Sequence, residues 1–162
     1  MNPAHHRKRS FSQGKAHHFV FKAHTQAFFG NHAKALVDRL LKGYGKYFGV
    51  KIYHRGYVGN HLHIILLAPN EKTLAGFLRV LTGQIALRLN KSNTAFWKCR
   101  PWSRIIQWGR DYGIATKYVA LNVLEGMNRV IRSKNTTKEL SSELKLYQKS
   151  IEEVLAQGLT QL

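Results

Sequence analysis

Hydrophobic and polar residues follow two periodicities along the first two-thirds of the chain. Three segments have the alternating or β-branched pattern of strands: His18–His24, Val50–Val58 and His61–Ala68. Two segments have the spacing of amphipathic helices: Asn31–Phe48 and Leu74–Leu89. Asn31 is a candidate N-cap, and Gly59-Asn60 predicts a tight turn between the second and third strands.

The last third of the chain begins with an aromatic and basic stretch. Residues 96–108 predict a strand or hairpin, and Pro101 favours an edge position because proline donates no hydrogen bond to a neighbouring strand. A helix follows over Ile114–Met127. A final helix over Leu140–Leu155 begins after a capping-box pattern from Thr136 to Glu139.

The order of these elements predicts an α+β fold. Strand, helix, strand, strand, helix, strand is the βαββαβ order of a ferredoxin-like sandwich with an antiparallel sheet, here followed by two further helices. Both faces of the third strand become apolar, so we expect it to be central. We divide the chain into a basic flexible arm (1–16), a catalytic domain (17–127), and a loop with a C-terminal helix (128–162).

Composition narrows the class of protein. The chain has 162 residues, of which 44% are hydrophobic, as expected of one globular domain. A single cysteine excludes a disulfide framework and a zinc site built on several cysteines. No apolar run is long enough to cross a bilayer, and no apolar segment follows the basic N-terminus as in a secretory signal. We therefore expect a cytoplasmic protein of bacterial type that does not bind membranes.

Charge points to a polyanionic partner. The formal net charge is +18, and residues 1–110 carry 19 lysines and arginines against only Asp38 and Glu71. Residues 111–162 are nearly balanced, with seven basic and six acidic side chains. Lysine and arginine gain affinity for nucleic acid by displacing counterions from phosphates. This uneven distribution favours a nucleic-acid partner over a general solubility role.

Two histidines at the start of the third strand are the strongest chemical feature. His61 and His63 are two residues apart, so on a strand they point to the same side and can converge on one divalent cation. On the helix predicted over Ile114–Met127, Tyr118 and Asn122 are four residues apart and share a face. A cation held by His61, His63 and Asn122 would polarise a phosphodiester, and a tyrosine hydroxyl would attack it to leave a covalent phosphotyrosine.

These motifs resemble those of the single-tyrosine HUH transposases, most closely the REP-associated tyrosine transposase branch. His61-Leu62-His63 matches the His-hydrophobe-His motif, and Tyr118 with Asn122 matches the catalytic helix. The resemblance covers roughly residues 17–127 and implies a ferredoxin-like core, Tyr118 as nucleophile, and His61, His63 and Asn122 as ligands of Mg²⁺ or Mn²⁺. It also implies cleavage and joining of single-stranded DNA through a 5′-phosphotyrosine link and a free 3′-OH, with a DNA hairpin as the expected partner.

Several alternatives stay open at this point. Val123 stands where the REP-associated pattern usually has proline, and the insertion-sequence branch commonly has glutamine in place of Asn122. Tyr112 is a second candidate nucleophile, with Thr116 four residues on. The chain is compatible with a monomer or a homodimer.

Candidate DNA contacts lie in the basic part of the chain. Aromatic side chains stack on exposed bases while cations follow the phosphates. By this reasoning the candidates are Arg7, Lys8, Arg9, His54, Arg55, Trp97, Lys98, Arg100, Trp102 and Arg104. Trp97 and Trp102 have the alternative of a place in the core. The other histidines near the first strand are His17, His18 and His24, of which His18 and His24 share a face and one could approach the site.

Two other functions compete with strand transfer. The first is a non-catalytic nucleic-acid-binding protein on the same fold. The second is a phosphoesterase with two histidine dyads, for which the chain offers only His24-Thr25 as a second motif.

Overall fold

A computed structural model describes residues 10–126 and contains four strands and three helices in the predicted order. In chain order they are β1 Ala16–Lys22, α1 Asn31–Phe48, β2 Lys51–Val58, β3 His61–Leu67, α2 Glu71–Leu89, β4 Trp102–Ile106 and α3 Arg110–Gly126. The predicted DNA-contacting arm with Arg7, Lys8 and Arg9, and the predicted C-terminal helix, lie outside the described residues.

The four strands form one antiparallel sheet in the order β2-β3-β1-β4. This is the strand order that a βαββαβ sandwich produces, so the predicted fold class is confirmed. β3 lies between β2 and β1, as its two apolar faces predicted, and β4 is an edge strand.

The sheet is covered on both faces. Leu62, Ile64 and Leu66 of β3 pack in a core with α1 and α2. Ile65, which points to the opposite face, packs with Ala115 and Val119 of α3. The alternation of β3 therefore sends even-numbered residues toward α1 and α2, and odd-numbered residues toward α3. None of the helices in residues 10–126 combines the length and apolar character needed to cross a membrane.

The first strand begins earlier than its sequence pattern predicts. Ala16 and His17 belong to β1 because Ala16 is fully buried opposite Ile106, while His17 pairs with Leu66. β1 also ends earlier, at Lys22. Pairing with two neighbouring strands, rather than the local alternation of residues 18–24, determines where this strand begins and ends.

The aromatic stretch at residues 96–108 is not one continuous strand. Trp97 makes an isolated bridge to Ala23, and β4 begins only at Trp102. The interruption contains Pro101, which has no backbone N–H to donate to a sheet. Both pieces nevertheless lie along the same edge of the β1 chain segment.

The N-terminal ends of two helices differ from the sequence prediction. Gly30 is the N-cap of α1, without a side-chain hydrogen bond, and Asn31 is the first helical residue. Helix α3 starts at Arg110, four residues before the predicted start. The Asp111 carboxylate accepts a hydrogen bond from the Gln107 backbone N–H at 2.9 Å, which stabilises this earlier start.

Helix α3 approaches the sheet most closely over β2. A Cβ atom on Gly56 would lie 2.7 Å from Val119 Cγ1 and 2.9 Å from Val123 Cγ2. Gly56 is also the register partner of His63 on β3. A residue without a side chain is thus required where α3 crosses the sheet beside the second histidine of the motif.

We expect Gly56→Ala to destabilise the fold by about 1–3 kcal/mol, because an added methyl group must displace α3 from a tightly packed contact. The control is Gly43→Ala in α1, where an added Cβ meets no atom within 4 Å. There alanine should stabilise the helix by about 0.5–1 kcal/mol. Urea unfolding of both variants measures the difference, and stabilisation by Gly56→Ala would contradict the close approach.

Candidate active site

Two strands bring three histidines to the face of the sheet that α3 covers. His61 and His63 share the side of β3 on which Ile65 packs against α3. In the β1–β3 register Val20 lies opposite His63 and His18 lies opposite Ile65. His18 therefore points to the same face as the His61-Leu62-His63 motif, one register step further along the sheet.

The His18 and His63 side chains contact each other directly. His18 Nε2 lies 3.2 Å from His63 Nδ1, and the ring centroids are 5.4 Å apart with the ring planes 24° apart. Both residues are buried, with 2% and 3% of their surface exposed. His61 is partly exposed, and its ring centroid lies 6.3 Å from that of His63. Within the motif, His63 is thus buried and His61 is partly accessible to solvent.

Tyr118 of α3 lies over this pair. Its ring centroid is 6.1 Å from those of both His18 and His63, and 43% of the residue is exposed. Asn122, one helical turn later, donates from Nδ2 to the Tyr118 carbonyl oxygen at 2.7 Å. The Asn122 amide oxygen, the atom that could bind a cation, is outside that hydrogen bond.

Burial keeps the histidines neutral near pH 7. Desolvation, followed by the charges of His18 and His61, lowers the pKa of His63 to about 3. Desolvation and the charge of Arg104 lower the pKa of His18 to about 4. The pKa of His61 is also lowered, by burial and by Lys22. Neutral imidazole has a nitrogen lone pair, so these rings are in the form that coordinates cations.

Comparisons with known proteins identify the family of this chain. The family model described as "Transposase IS200 like" matches residues 10–124. This chain belongs to the IS200-like transposase family. No curated protein matches the sequence.

Two solved structures share the fold of this transposase. One is described as a "REP associates tyrosine transposase bound to a REP hairpin", with 16% identity, a TM-score of 0.63, and coverage of 76% of this chain and 74% of that one. The other is a putative transposase from Deinococcus radiodurans R1, with 12% identity, a TM-score of 0.50, and coverage of 72% and 96% respectively. At these identities the likeness concerns the fold.

The transposase offers a mixed set of donors for a cation. Within residues 10–126 no group of three or more His, Cys, Asp or Glu side chains is arranged to hold a metal ion. Of the donors predicted from the sequence, His61 and His63 share one side of β3 and Asn122 follows Tyr118 by one helical turn, and their role as cation ligands stays a prediction. Imidazole nitrogen and amide oxygen are both ligands of divalent metal ions in proteins.

The second tyrosine of α3 lies in a different environment. The Tyr112 ring packs against those of Tyr53, His54 and Trp108, with centroid separations of 6.1, 5.7 and 5.2 Å. Thr116, one turn later, is buried and donates its hydroxyl to the Gly113 carbonyl. The structure therefore brings Tyr118, and not Tyr112, beside the histidine pair.

Of the other histidines near β1, only His18 joins the site. His17 points to the opposite face, where it stacks on Phe11 and accepts a hydrogen bond from the Ser12 backbone N–H at 3.3 Å. His24 is exposed and lies beyond the end of β1. Alternation made His18 and His24 equivalent candidates, and the length of the strand distinguishes them.

Several predicted DNA contacts lie on the same face as the histidines. Trp102 is 54% exposed, and its ring meets His18 edge-on at 5.7 Å. Arg104 pairs with His18 across the sheet and forms an ion pair with Asp111 at 3.2 Å. His54 shares this face, because its register partner is Ile65. Lys98 and Arg100 are exposed in the segment before β4.

Two residues predicted to contact DNA make contacts within the protein, and their role in DNA binding stays a prediction. The Trp97 indole donates to the Thr82 carbonyl at 3.1 Å and packs against the rings of Phe21 and Phe28. The Arg55 guanidinium is ion-paired with Asp38 of α1, and its NH2 group lies 3.1 Å from the carboxylate. Both side chains belong to the layer of α1 and α2, on the face of the sheet opposite the histidines.

The lowered pKa values predict that acidification destabilises the fold. The unfolded chain, with histidine pKa values near 6.5, binds more protons below that pH than the folded chain does. Stability is therefore full above the unfolded pKa and is lost as the pH falls toward the folded values. Each histidine adds a slope of at most ~1.4 kcal/mol per pH unit. Urea unfolding without metal, from about pH 7 to about pH 5, should show this loss.

Two variants separate the buried pair from other titrating groups. His18→Leu should reduce the slope, whereas His24→Gln, at an exposed position, should leave it unchanged. Equal slopes in both variants would show that the buried pair is not the source of the acid sensitivity.

Proposed function

We propose that this transposase cleaves and rejoins single-stranded DNA with a divalent cation, using Tyr118 as nucleophile and His61, His63 and Asn122 as ligands. The observation that carries the proposal is the position of the Tyr118 ring, 6.1 Å from the His63 ring of the same chain. A nucleophile next to a pair of cation donors matches the needs of phosphodiester transfer.

The proposed reaction exchanges one phosphodiester for another. The Tyr118 hydroxyl oxygen forms a bond to phosphorus, the bond from phosphorus to the 3′ oxygen breaks, and the phenolic proton passes to solvent while the 3′ oxygen gains one. The 5′-phosphate is then linked to Tyr118, and a 3′-OH is released. Reversal with another 3′-OH joins strands. A bound Mg²⁺ or Mn²⁺ would neutralise charge on the non-bridging phosphate oxygens.

The chain's own residues position the reactants. Close packing of α3 against Gly56 keeps Tyr118 beside the histidines. The buried, neutral imidazole of His63 presents a lone pair without the cost of removing a proton. Because Tyr118 and His63 belong to one chain, a single protomer supplies the complete set, and the monomer is the simplest active form.

We propose that the substrate is a DNA single strand next to a hairpin. The exposed Trp102 ring, adjacent to His18, offers a surface on which an unpaired base can stack. Lys98, Arg100 and Arg104 supply positive charge along the same edge. The similar structure that is described as bound to a REP hairpin supports a hairpin partner.

Tyr118→Phe should abolish covalent attachment to DNA while leaving binding within about twofold, because it removes only the attacking oxygen. The probe is a pool of single-stranded oligonucleotides with a hairpin and randomised flanks, incubated with Mn²⁺. A 3′ label reports the fragment joined to the protein, and a 5′ label reports the fragment with a free 3′-OH. The matched control, Tyr112→Phe, should retain the adduct; loss of the adduct in that variant alone would transfer the role to Tyr112.

His61→Ala should weaken Mn²⁺ binding by more than about 100-fold, because it removes a ligand. Substituting a residue that only hydrogen-bonds to a ligand typically costs about 10–100-fold. His61 suits this test better than His63, because its partial exposure makes the substitution less disruptive. Isothermal titration with Mn²⁺ measures the affinity, and adduct yield with the labelled pool should fall in parallel. The exposed His24→Ala is the control, and unchanged affinity in His61→Ala would rule out the ligand role.

A further inference from the structure

His18 occupies a special place beside the proposed ligands. It is 2% exposed and belongs to a different strand from the His61-Leu62-His63 motif. Its Nε2 atom lies 3.2 Å from Nδ1 of His63, so that nitrogen of His63 is engaged within the protein. His63 then has only Nε2 with which to bind a cation.

The direction of this hydrogen bond decides whether His63 can be a ligand. A neutral imidazole has one N–H and one lone pair. If His18 Nε2 donates, His63 accepts at Nδ1 and its hydrogen is on Nε2, which then has no lone pair to offer. If His63 Nδ1 donates to His18 Nε2, the lone pair of His63 is on Nε2. Only the second arrangement allows coordination, and an outer partner that accepts from a ligating histidine is the usual way to fix it.

We propose that His18 is a positioning residue that accepts a hydrogen bond from His63 Nδ1 and so keeps the His63 Nε2 lone pair directed to the cation. This inference rests on the proposed function, in which His63 is a ligand. His18 itself does not touch the cation or the DNA in this role.

The surroundings of His18 hold its ring in the orientation that the role requires. Trp102 contacts the ring edge-on at 5.7 Å with an interplanar angle of 83°, and Tyr118 at 6.1 Å with an angle of 72°. The His63 ring lies beside it, with the two ring planes 24° apart. Pairing of β1 with both β3 and β4 fixes the backbone. A ring contacted by three aromatic neighbours has little freedom to turn away from His63.

Two substitutions distinguish hydrogen bonding from packing. His18→Leu keeps an apolar side chain in the buried position and removes the acceptor. His18→Gln restores an acceptor, because the glutamine amide oxygen is the same number of bonds from Cα as histidine Nε2. The matched control is His17→Leu, at the neighbouring histidine, which is 1% exposed and faces the other side of the sheet.

The first measurement needs no metal. Nitrogen-15 NMR of the imidazole side chains reports which nitrogen of His63 has the hydrogen. We expect Nδ1–H in the parent protein, in His18→Gln and in His17→Leu, and a shift toward Nε2–H or a mixture in His18→Leu. Nε2–H in the parent protein, or no change in His18→Leu, would overturn the proposal.

The second measurement is Mn²⁺ affinity by isothermal titration. His18→Leu should weaken binding by about 10–100-fold, the range for an outer partner of a ligating histidine. His18→Gln should recover most of that loss, and His17→Leu should bind as the parent does. Equal losses in the leucine and glutamine variants would indicate a packing role and refute the hydrogen-bond role.

The outcomes also separate this inference from the proposed function. If His61→Ala abolishes Mn²⁺ binding and His18→Leu leaves it intact, the ligands stand and the positioning role is wrong. If the parent protein binds no Mn²⁺ and forms no DNA adduct, the proposed function fails. In that case the NMR measurement still decides whether His18 controls the tautomer of His63.

Discussion

The contact of α3 with β2 is the interaction on which the candidate site depends. Val119 and Val123 lie against the bare backbone of Gly56, whose register partner is His63. Each of these valines follows a functional candidate by one position, Tyr118 and Asn122. Since adjacent helical residues point about 100° apart, the valines face the sheet while Tyr118 and Asn122 lie along the flank of the same helix. Packing of the two valines against the sheet therefore also fixes the positions of Tyr118 and Asn122.

The electrostatics of the site contrast with those of the whole protein. The chain has a formal net charge of +18, yet the histidine pair is buried and neutral. Two of the few carboxylates are held elsewhere, Asp38 by Arg55 and Asp111 by Arg104. Under the proposed function the cation would be held by neutral donors, so its charge would act on the DNA phosphate without being cancelled by a carboxylate of the cluster.

The strongest periodic patterns predicted the fold, and the faces of the site followed from them. The alternation of β3 placed His61 and His63 on one side, and the helical spacing of α3 placed Tyr118 and Asn122 together. The sequence did not distinguish His18 from His24, because that choice depends on where β1 ends. Gly56 is a signal in the sequence for the α3 contact. A glycine inside a strand often marks the close approach of another backbone or side chain.

Some contacts of the residues predicted to bind DNA could not be read from local patterns. Trp97 stands among cations in the sequence, but its neighbours in the fold are Phe21 and Phe28, about 70 residues earlier. Arg55 belongs to the basic segment of residues 1–110, which contains only two acidic residues. One of these, Asp38, is the partner of Arg55. Both contacts join residues that are far apart in the sequence. The start of β1 at Ala16 has the same origin, in its pairing with Ile106.

The burial of α3 also bears on whether one chain or two would perform the proposed reaction. Its buried apolar side chains include Val119, Val123 and Leu124. Removing such side chains from contact costs about 1.5–3 kcal/mol each, so detaching all three costs roughly 5 kcal/mol or more. At about 1.4 kcal/mol per factor of ten, the detached helix would be present in fewer than about one molecule in a thousand. An exchange of α3 between protomers keeps these contacts only where the helix docks on the same apolar surface of the second chain, and in this structure Tyr118 lies beside the histidines of its own chain.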